Sequence, residues 1–459
     1  MEVEAWLARA AAARPHHTAL QTPRGSWSYA ELHAAARAGA QELSARGVGA
    51  GERVALALPA GLELARALHA CLLLGAVAVP VDLRLSATER APLAEGAAAL
   101  VEEPLAGGAA PLISARAADT APVQGEHRVH DLDAPAVVIH TSGTTAQPRA
   151  VELTYGNILW SALGSAVALG LDRRDRWLCA LPLSHVGGLS ILLRSAIYAT
   201  TAVVHERFEA DRVEHALRER QVTLVSLVAT TLARLLDAGL TRPPALRCAL
   251  TGGGPVPAAL LERAHVAGVP VALTYGLTES CSQATTTPAA EIGGRAPSPS
   301  GDDVSAGPPL FCTRLRVEDD GEILVAGPTV APRARCADGW LHTGDLGRLD
   351  ERGRLRVVGR KADTIVSGGE NVAPVEVEAV LEAHPGVLEA AVLGRPDPEW
   401  GEAVSAIVVA RPGAALDASL LRAHCAEWLA PFKVPKQLVL TSEPLPRTRS
   451  GKLARRELR

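Results

Sequence analysis

Doubly wound parallel α/β sheets, followed by a β-rich subdomain and a small mobile α+β domain, are what this sequence predicts, on three observations. Short apolar runs alternate with helical periods from the N-terminus onward, several of those runs end in Gly, Thr or Ser, and after about residue 310 the texture becomes polar and turn-rich. The first two features suit parallel strands buried under helices on both faces, with ligands at the strand ends. The third suits antiparallel hairpins.

In chain order, Ser28-Tyr29-Ala30-Glu31 forms a capping box, in which hydroxyl and carboxylate satisfy free amides; the helix it opens is predicted to run to Ala45 and stop at Gly47. A strand over Arg53 to Leu58, a helix over Leu62 to Leu74 and a strand over Ala76 to Val81 follow, then a second capping box at Ser86 to Glu89. Buried strands are expected at Ala136 to Ile139, Val222 to Leu227, Leu246 to Leu250 and Val269 to Thr274. Hairpin strands are expected at Arg314 to Val317, Glu322 to Val325 and Leu355 to Val358, separated by Asp-Gly turns. The last hundred residues restart with a turn at Ser367-Gly368-Gly369 and a helix opened by Pro374. Two strands (Leu388 to Leu393, Val404 to Val409) and a helix around Leu420 to Leu429 complete them. A boundary near Arg360 divides the chain into 1–359 and 360–459, and Arg295 to Gly301 reads as an exposed loop.

Composition narrows the function. The 459 residues are 48% hydrophobic and 21% charged, which excludes a disordered chain. Lys and Arg total 46 against 50 Asp and Glu, a formal net charge of -4, so nothing global recruits nucleic acid or an anionic membrane. Seven dispersed cysteines without a CxxC pair indicate reduced thiols. The acidic start lacks a signal-peptide core, and the longest apolar run, Ala70 to Val81, is broken by Gly75 and Pro80. A cytoplasmic protein with small-molecule partners is expected, with no nucleic acid and no membrane; homo-oligomer formation stays open.

The strongest motif is His140-Thr141-Ser142-Gly143-Thr144-Thr145-Ala146-Gln147-Pro148-Arg149, directly after a predicted strand. Hydroxyls and flexible amides in one turn make a concave donor surface for polyphosphate oxygens, and Arg149 adds a cation. A Ser/Thr-rich surface turn accounts for the same residues equally well. Tyr275 offers a flat ring beside the glycine wall Gly252-Gly253-Gly254, where a purine would fit. Thr278 offers a hydroxyl to phosphate and Glu279 a hard oxygen to Mg²⁺, although a helix N-terminal carboxylate in solvent is the plain alternative for Glu279. Asp345 can accept two ribose hydroxyls, or belong to an ordinary turn. Arg360, alone, is one surface arginine among many, and Lys452 belongs to a basic tail that by composition reads as a solvated charge run.

Taken together, the phosphate-loop stretch, Gly252 to Pro255, Thr274 to Glu279, Gly339 to Asp345, Gly359 to Asp363, Ser367 to Asn371 and Arg449 to Lys452 occur in the order found in the adenylate-forming superfamily of acyl-CoA synthetases, luciferases and adenylation domains, which the chain resembles over essentially its full length. The resemblance implies ATP, Mg²⁺ and coenzyme A as cofactor and co-substrates. It assigns Thr141, Ser142, Gly143, Thr144, Thr145, Arg149, Gly252, Gly253, Gly254, Thr274, Tyr275, Gly276, Thr278, Asp345, Arg360 and Lys452 to ATP or AMP, with Glu279 on the metal. Lys452 matches the lysine that bridges the substrate carboxylate and the α-phosphate, where two anions meet and a cation favours the transition state. His185, Thr278 and Glu279 join it as catalytic candidates, and Ser367, Gly368, Gly369 and Glu370 form the turn that would face coenzyme A.

Leu181 to Ser195, Leu246 to Cys248, Cys281 to Gln283 and Pro309 to Cys312 are similar to the 2-succinylbenzoate-CoA ligase branch of menaquinone biosynthesis. An aryl dicarboxylate needs a polar partner for the carboxylate that does not react, and His185, Ser190, Arg194, Ser282 and Gln283 are the candidates. The expected activity is an acid-thiol ligase that forms an acyl-adenylate and then an acyl-CoA thioester. A ligase for another aryl or fatty acid, or a degenerate nucleotide-binding scaffold, are the rivals; no Walker A loop and no kinase motif set supports a phosphotransferase. Departures from the family pattern are Ala146 for Gly, Arg149 for Lys, Tyr155 for His, Ala362 at the hinge, and a shortened Pro328 to Ala337.

Overall fold

The computed structural model of the chain describes residues 1–105, 129–141, 149–294, 304–447 and 453–458. Two mixed sheets dominate the N-terminal part. One runs Ala99–Val101, Arg53–Leu56, Val77–Pro80, Pro135–Thr141, Arg149–Thr154. The other has eight strands in the order Thr285–Thr286, Val271–Tyr275, Cys248–Thr251, Leu224–Leu227, Arg176–Cys179, Thr201–Val204, Thr18–Thr22, Gly25–Ser28. Their interior pairings are parallel, as the apolar runs require, and strands such as Val54, Ala55 and Leu56 have no exposed surface. The edge strands depart from the expectation of purely parallel sheets: Arg149–Thr154, Thr285–Thr286 and Gly25–Ser28 all pair antiparallel, because each follows its neighbour through a short connection rather than a crossover helix.

Both expected capping boxes form. Ser28 Oγ accepts the Glu31 amide at 3.3 Å while Glu31 accepts the Ser28 amide at 2.7 Å, and the helix runs Tyr29–Ala45. Ser86 and Glu89 repeat the arrangement for Ala87–Ala94. A third box, Thr154 with Asn157, starts Tyr155–Leu169, a helix without a single charged residue. Tyr155, the departure from His, is core: its ring stacks on His130 at 4.3 Å and its hydroxyl donates to the Leu72 carbonyl.

Arg314–Val317, Glu322–Ala326, Leu341–Leu349 and Leu355–Arg360 form the antiparallel sheet that the turn-rich region predicts. Tyr275 and Ala284 pack into its apolar core with Ile323, Val325 and Leu341, which brings a strand end of the eight-stranded sheet against this subdomain. Beyond the short turn Lys361–Asp363, a five-stranded sheet centred on Gly401–Ala410 and Val387–Asp397 packs with the helices Pro374–Ala383 and Ala418–Trp428 around a core of its own.

Candidate active site

Strand geometry assembles the nucleotide side. Cys248–Thr251 and Val271–Tyr275 are parallel neighbours, so Gly252 lies against Thr274; a Cβ at Gly252 would come within 2.6 Å of the Thr274 side chain and carbonyl, and only glycine passes. Thr274 turns its hydroxyl into the sheet edge, donating to the Thr285 carbonyl at 2.8 Å. Tyr275 closes the strand almost buried, and its hydroxyl donates to Asp345 Oδ2 at 2.9 Å. Burial and the neighbouring carboxylate push that phenol well above its ordinary value. Asp345 Oδ1 lies 2.7 Å from Arg360 Nε, and the Asp345 amide donates to Thr343 Oγ1 at 3.1 Å. Three separated motifs thus meet on one buried carboxylate.

Thr278–Ser280 forms a 3-10 turn that presents Glu279 half-buried. The Glu279 carbonyl is fixed by the Ala331 amide at 2.8 Å, so the shortened Pro328 to Ala337 segment supports it. Among the described residues no side chain bonds the Glu279 carboxylate, and a free hard-oxygen donor beside the nucleotide side fits Mg²⁺. Thr141 and Arg149 face each other where the phosphate-loop strand turns back, with Arg149 exposed. Ser142, Gly143, Thr144, Thr145 and Ala146, and also Lys452, lie outside the described residues.

Around two of the residues expected to bind the acid, a cavity of about 10 Å³, the room of one water, is lined by Ser161, Val186, Leu189, Ser190, Arg194 and Cys281, among others. Arg194 is 2% exposed; its Nη2 donates to Ser161 Oγ at 3.0 Å and its guanidinium lies 5.6 Å from the Trp177 ring centroid. No carboxylate pairs with it among the described residues, and burial lowers its pKa. Ser161 in turn donates to the Cys281 carbonyl at 2.6 Å. Ser190 lines the same cavity, donating to the Gly187 carbonyl at 3.2 Å.

Cys281 and Ser282 adopt φ of +53° and +89°, left-handed values that L-residues rarely take. The bend folds the Ser282 carbonyl over Gly276, where a Cβ would collide with it. Gln283 is buried: its amide donates to Thr286 Oγ1 at 2.7 Å, while its Oε1 has no partner among the described residues.

Other expected residues sit apart from that cavity. His185 caps the helix Val186–Tyr198 outside the lining, with Nε2 3.3 Å from Arg84 and 4.0 Å from Asp82 Oδ2. Burial works to raise the Asp82 pKa, but hydrogen bonds from Arg84 outweigh it and leave the carboxyl below its ordinary value. The turn Ser367 to Glu370 joins two short strands, with Gly368 at φ +61° against the Trp400 ring. Among the described residues no hydrogen bond or ion pair joins this turn to Tyr275 or Arg194.

Sequence reasoning did not single out Ser161, Trp177, Asp82 or Arg84. Asp82 and Arg84 directly follow a predicted strand end, a position that could have flagged them. Ser161 gave no signal.

Comparison with known proteins points to one family. The family model described as AMP-binding enzyme matches residues 7–333, and that of the AMP-binding enzyme C-terminal domain matches 376–452. A 2-succinylbenzoate--CoA ligase of Bacillus cereus is 39% identical, covering 99% of this chain and 97% of the relative. The o-succinylbenzoate CoA synthetase (MenE) of Bacillus subtilis in complex with its acyl-adenylate intermediate OSB-AMP superposes with a TM-score of 0.88 at 37% identity, covering 100% of this chain and 98% of that one. The same enzyme with ATP and magnesium ion gives 0.87 at 37% identity, with 100% of both chains covered. On the full-length match and the converging motifs, the chain belongs to the AMP-binding enzyme family.

Proposed function

We propose that this chain is an AMP-forming acid-thiol ligase that converts 2-succinylbenzoate, ATP and coenzyme A into 2-succinylbenzoyl-CoA, AMP and pyrophosphate, a step of menaquinone biosynthesis. One observation carries the reading: the single turn from Tyr275 to Gln283 has the Asp345–Arg360 pair at its start and, at its end, a cavity lined by a buried arginine that has no carboxylate partner among the described residues. A nucleotide site and an acid site share that turn.

In the first step a carboxylate oxygen of the acid attacks the α-phosphorus of ATP; the bond to the β-phosphate bridging oxygen breaks and pyrophosphate leaves. Asp345 orients the ribose hydroxyls and Tyr275 flanks the base. Thr141 to Thr145 and Arg149 hold phosphate oxygens, and Thr278 adds a hydroxyl. Glu279 would hold Mg²⁺, which when bound would supply positive charge beside the phosphates. Lys452 neutralises the two approaching anions, stabilising the transition state more than the separated reactants. Arg194, with Ser190 and Gln283, accepts the second carboxylate, for which the one-water cavity beside Arg194 has to widen, and whose charge completes a site that the described residues leave unbalanced. His185 and the Ser367 to Glu370 turn serve the thiol step: sulfur attacks the acyl carbon, AMP leaves with the electron pair, and the thiol proton passes to solvent.

We assign 1–359 to ATP and acid binding and 360–459 to a mobile domain that carries Lys452. We also infer a cytoplasmic setting; among the described residues no helix is long and apolar enough to cross a membrane.

Mass spectrometry of products from 2-succinylbenzoate, ATP and coenzyme A tests the proposal. Expected are 2-succinylbenzoyl-CoA and AMP in equal amounts. Turnover of only a monocarboxylic aryl or fatty acid would reassign the substrate, and ATP binding without AMP release from any acid would reject the ligase.

A further inference from the structure

The chain on either side of Lys452 is held by two arginine–glutamate pairs. Before it, the Leu445 amide donates to Glu389 Oε1 at 2.9 Å and the Arg447 guanidinium pairs with Glu389 Oε2. After it, Arg455 Nη2 lies 2.6 Å from both oxygens of Glu378. The two flanks are also tied to each other. Arg447 and Leu453 form an antiparallel bridge, and the Ala454 amide donates to the Pro446 carbonyl at 2.8 Å. Glu378, on the helix Pro374–Ala383, is 8% exposed and accepts the Val392 amide at 2.8 Å. Arg455 Nη1 further lies 4.0 Å from Asp363, in the turn that leads into the C-terminal part.

A buried ion pair is a poor device for stability alone, since apolar residues of similar volume often do as well. Its advantage is direction: a charge-assisted pair fixes an orientation that apolar packing leaves loose. A lysine that must meet two anions gains from a base that does not wander, because preorganised charge costs no rearrangement at the moment of reaction. We propose that Arg455 and Glu378, seconded by Arg447 and Glu389, are positioning residues for adenylation, holding the base from which Lys452 acts. The inference rests on the ligase reading above.

Two half-reactions separate positioning from packing. Arg455→Met and Glu378→Gln are each expected to lower acid-dependent pyrophosphate–ATP exchange about 10- to 100-fold, the scale of a misplaced reacting group. Thioester formation from supplied acyl-adenylate should stay within about twofold for both variants. The double variant Glu378→Met with Arg455→Met should recover melting temperature without recovering exchange. Equal loss of both half-reactions, or recovery of exchange in the double variant, overturns the inference in favour of packing. Lys452→Ala distinguishes the two levels. If it keeps full exchange, the assigned role of the lysine fails and the clamp's purpose with it; if it loses exchange while Arg455→Met does not, the clamp alone fails.

Discussion

Two arginines of the N-terminal part, the half-buried Arg247 and the buried Arg194, have opposite surroundings. Arg247 is saturated: Nε and Nη2 donate to the two oxygens of Asp175 at 2.9 and 2.6 Å, and the Leu169 and Gly170 carbonyls take further donors. Arg194 has one serine hydroxyl and the face of Trp177, with no anion among the described residues. On the proposed function, a protein that neutralises one guanidinium completely and, among its described residues, leaves another in a cavity wall without an acid distinguishes a structural charge from one that a ligand completes.

Substitutions at the two positions should separate cleanly. Arg247→Met leaves Asp175, 5% exposed at its side chain, without its cation, and is expected to cost about 3 kcal/mol of stability by urea denaturation. Its KM for acid should be unchanged; a raised KM would blur the contrast. Arg194→Met is expected to raise KM for 2-succinylbenzoate about 10- to 100-fold, the range of a lost hydrogen bond to a charged group. KM for a monocarboxylic analogue should move far less, and equal shifts for both acids would deny Arg194 its carboxylate. Ser161→Ala removes the hydroxyl linking Arg194 to the Cys281 carbonyl, and should raise the same KM about fivefold, the effect of one neutral hydrogen bond.

The smallest effect concerns the acidic counterpart of Arg194. Glu382 forms no ion pair among the described residues, and burial, only partly offset by the Ala390 amide, pushes its carboxyl from 4.5 up to about 7. The folded state then binds more protons than the unfolded one across that interval. Stability is full below the unfolded value and lost as pH rises to about 7. Glu382→Gln should flatten this decline in thermal melts between those pH values, and an unchanged slope would show that the group titrates normally.

Much of this was legible in the residues. Capping boxes at Ser28 and Ser86 and the strand run ending near Tyr275 could be read because short-range chemistry fixes them, whereas Asp345, which alone reads as an ordinary turn, lies inside the strand Leu341–Leu349. The acid pocket was half legible. Arg194 stood out as the lone charge of Val186–Tyr198, whereas Ser161 comes from an uncharged helix and reaches Cys281 across 120 positions. Such a contact depends on how sheets stack, which no local pattern encodes. Helices buried on most sides, such as Tyr155–Leu169, also lack the polar face that periodicity detects.

The bend at Cys281 and Ser282 bears on any attempt to retune the substrate. Because the Ser282 carbonyl closes over Gly276, the nine positions from Tyr275 to Gln283 double back on themselves with no room for a side chain at Gly276. Mutagenesis libraries aimed at new acids should therefore keep Gly276 and vary the wall opposite, at Leu189 and Ser190, where altered shape need not travel into the adenine end.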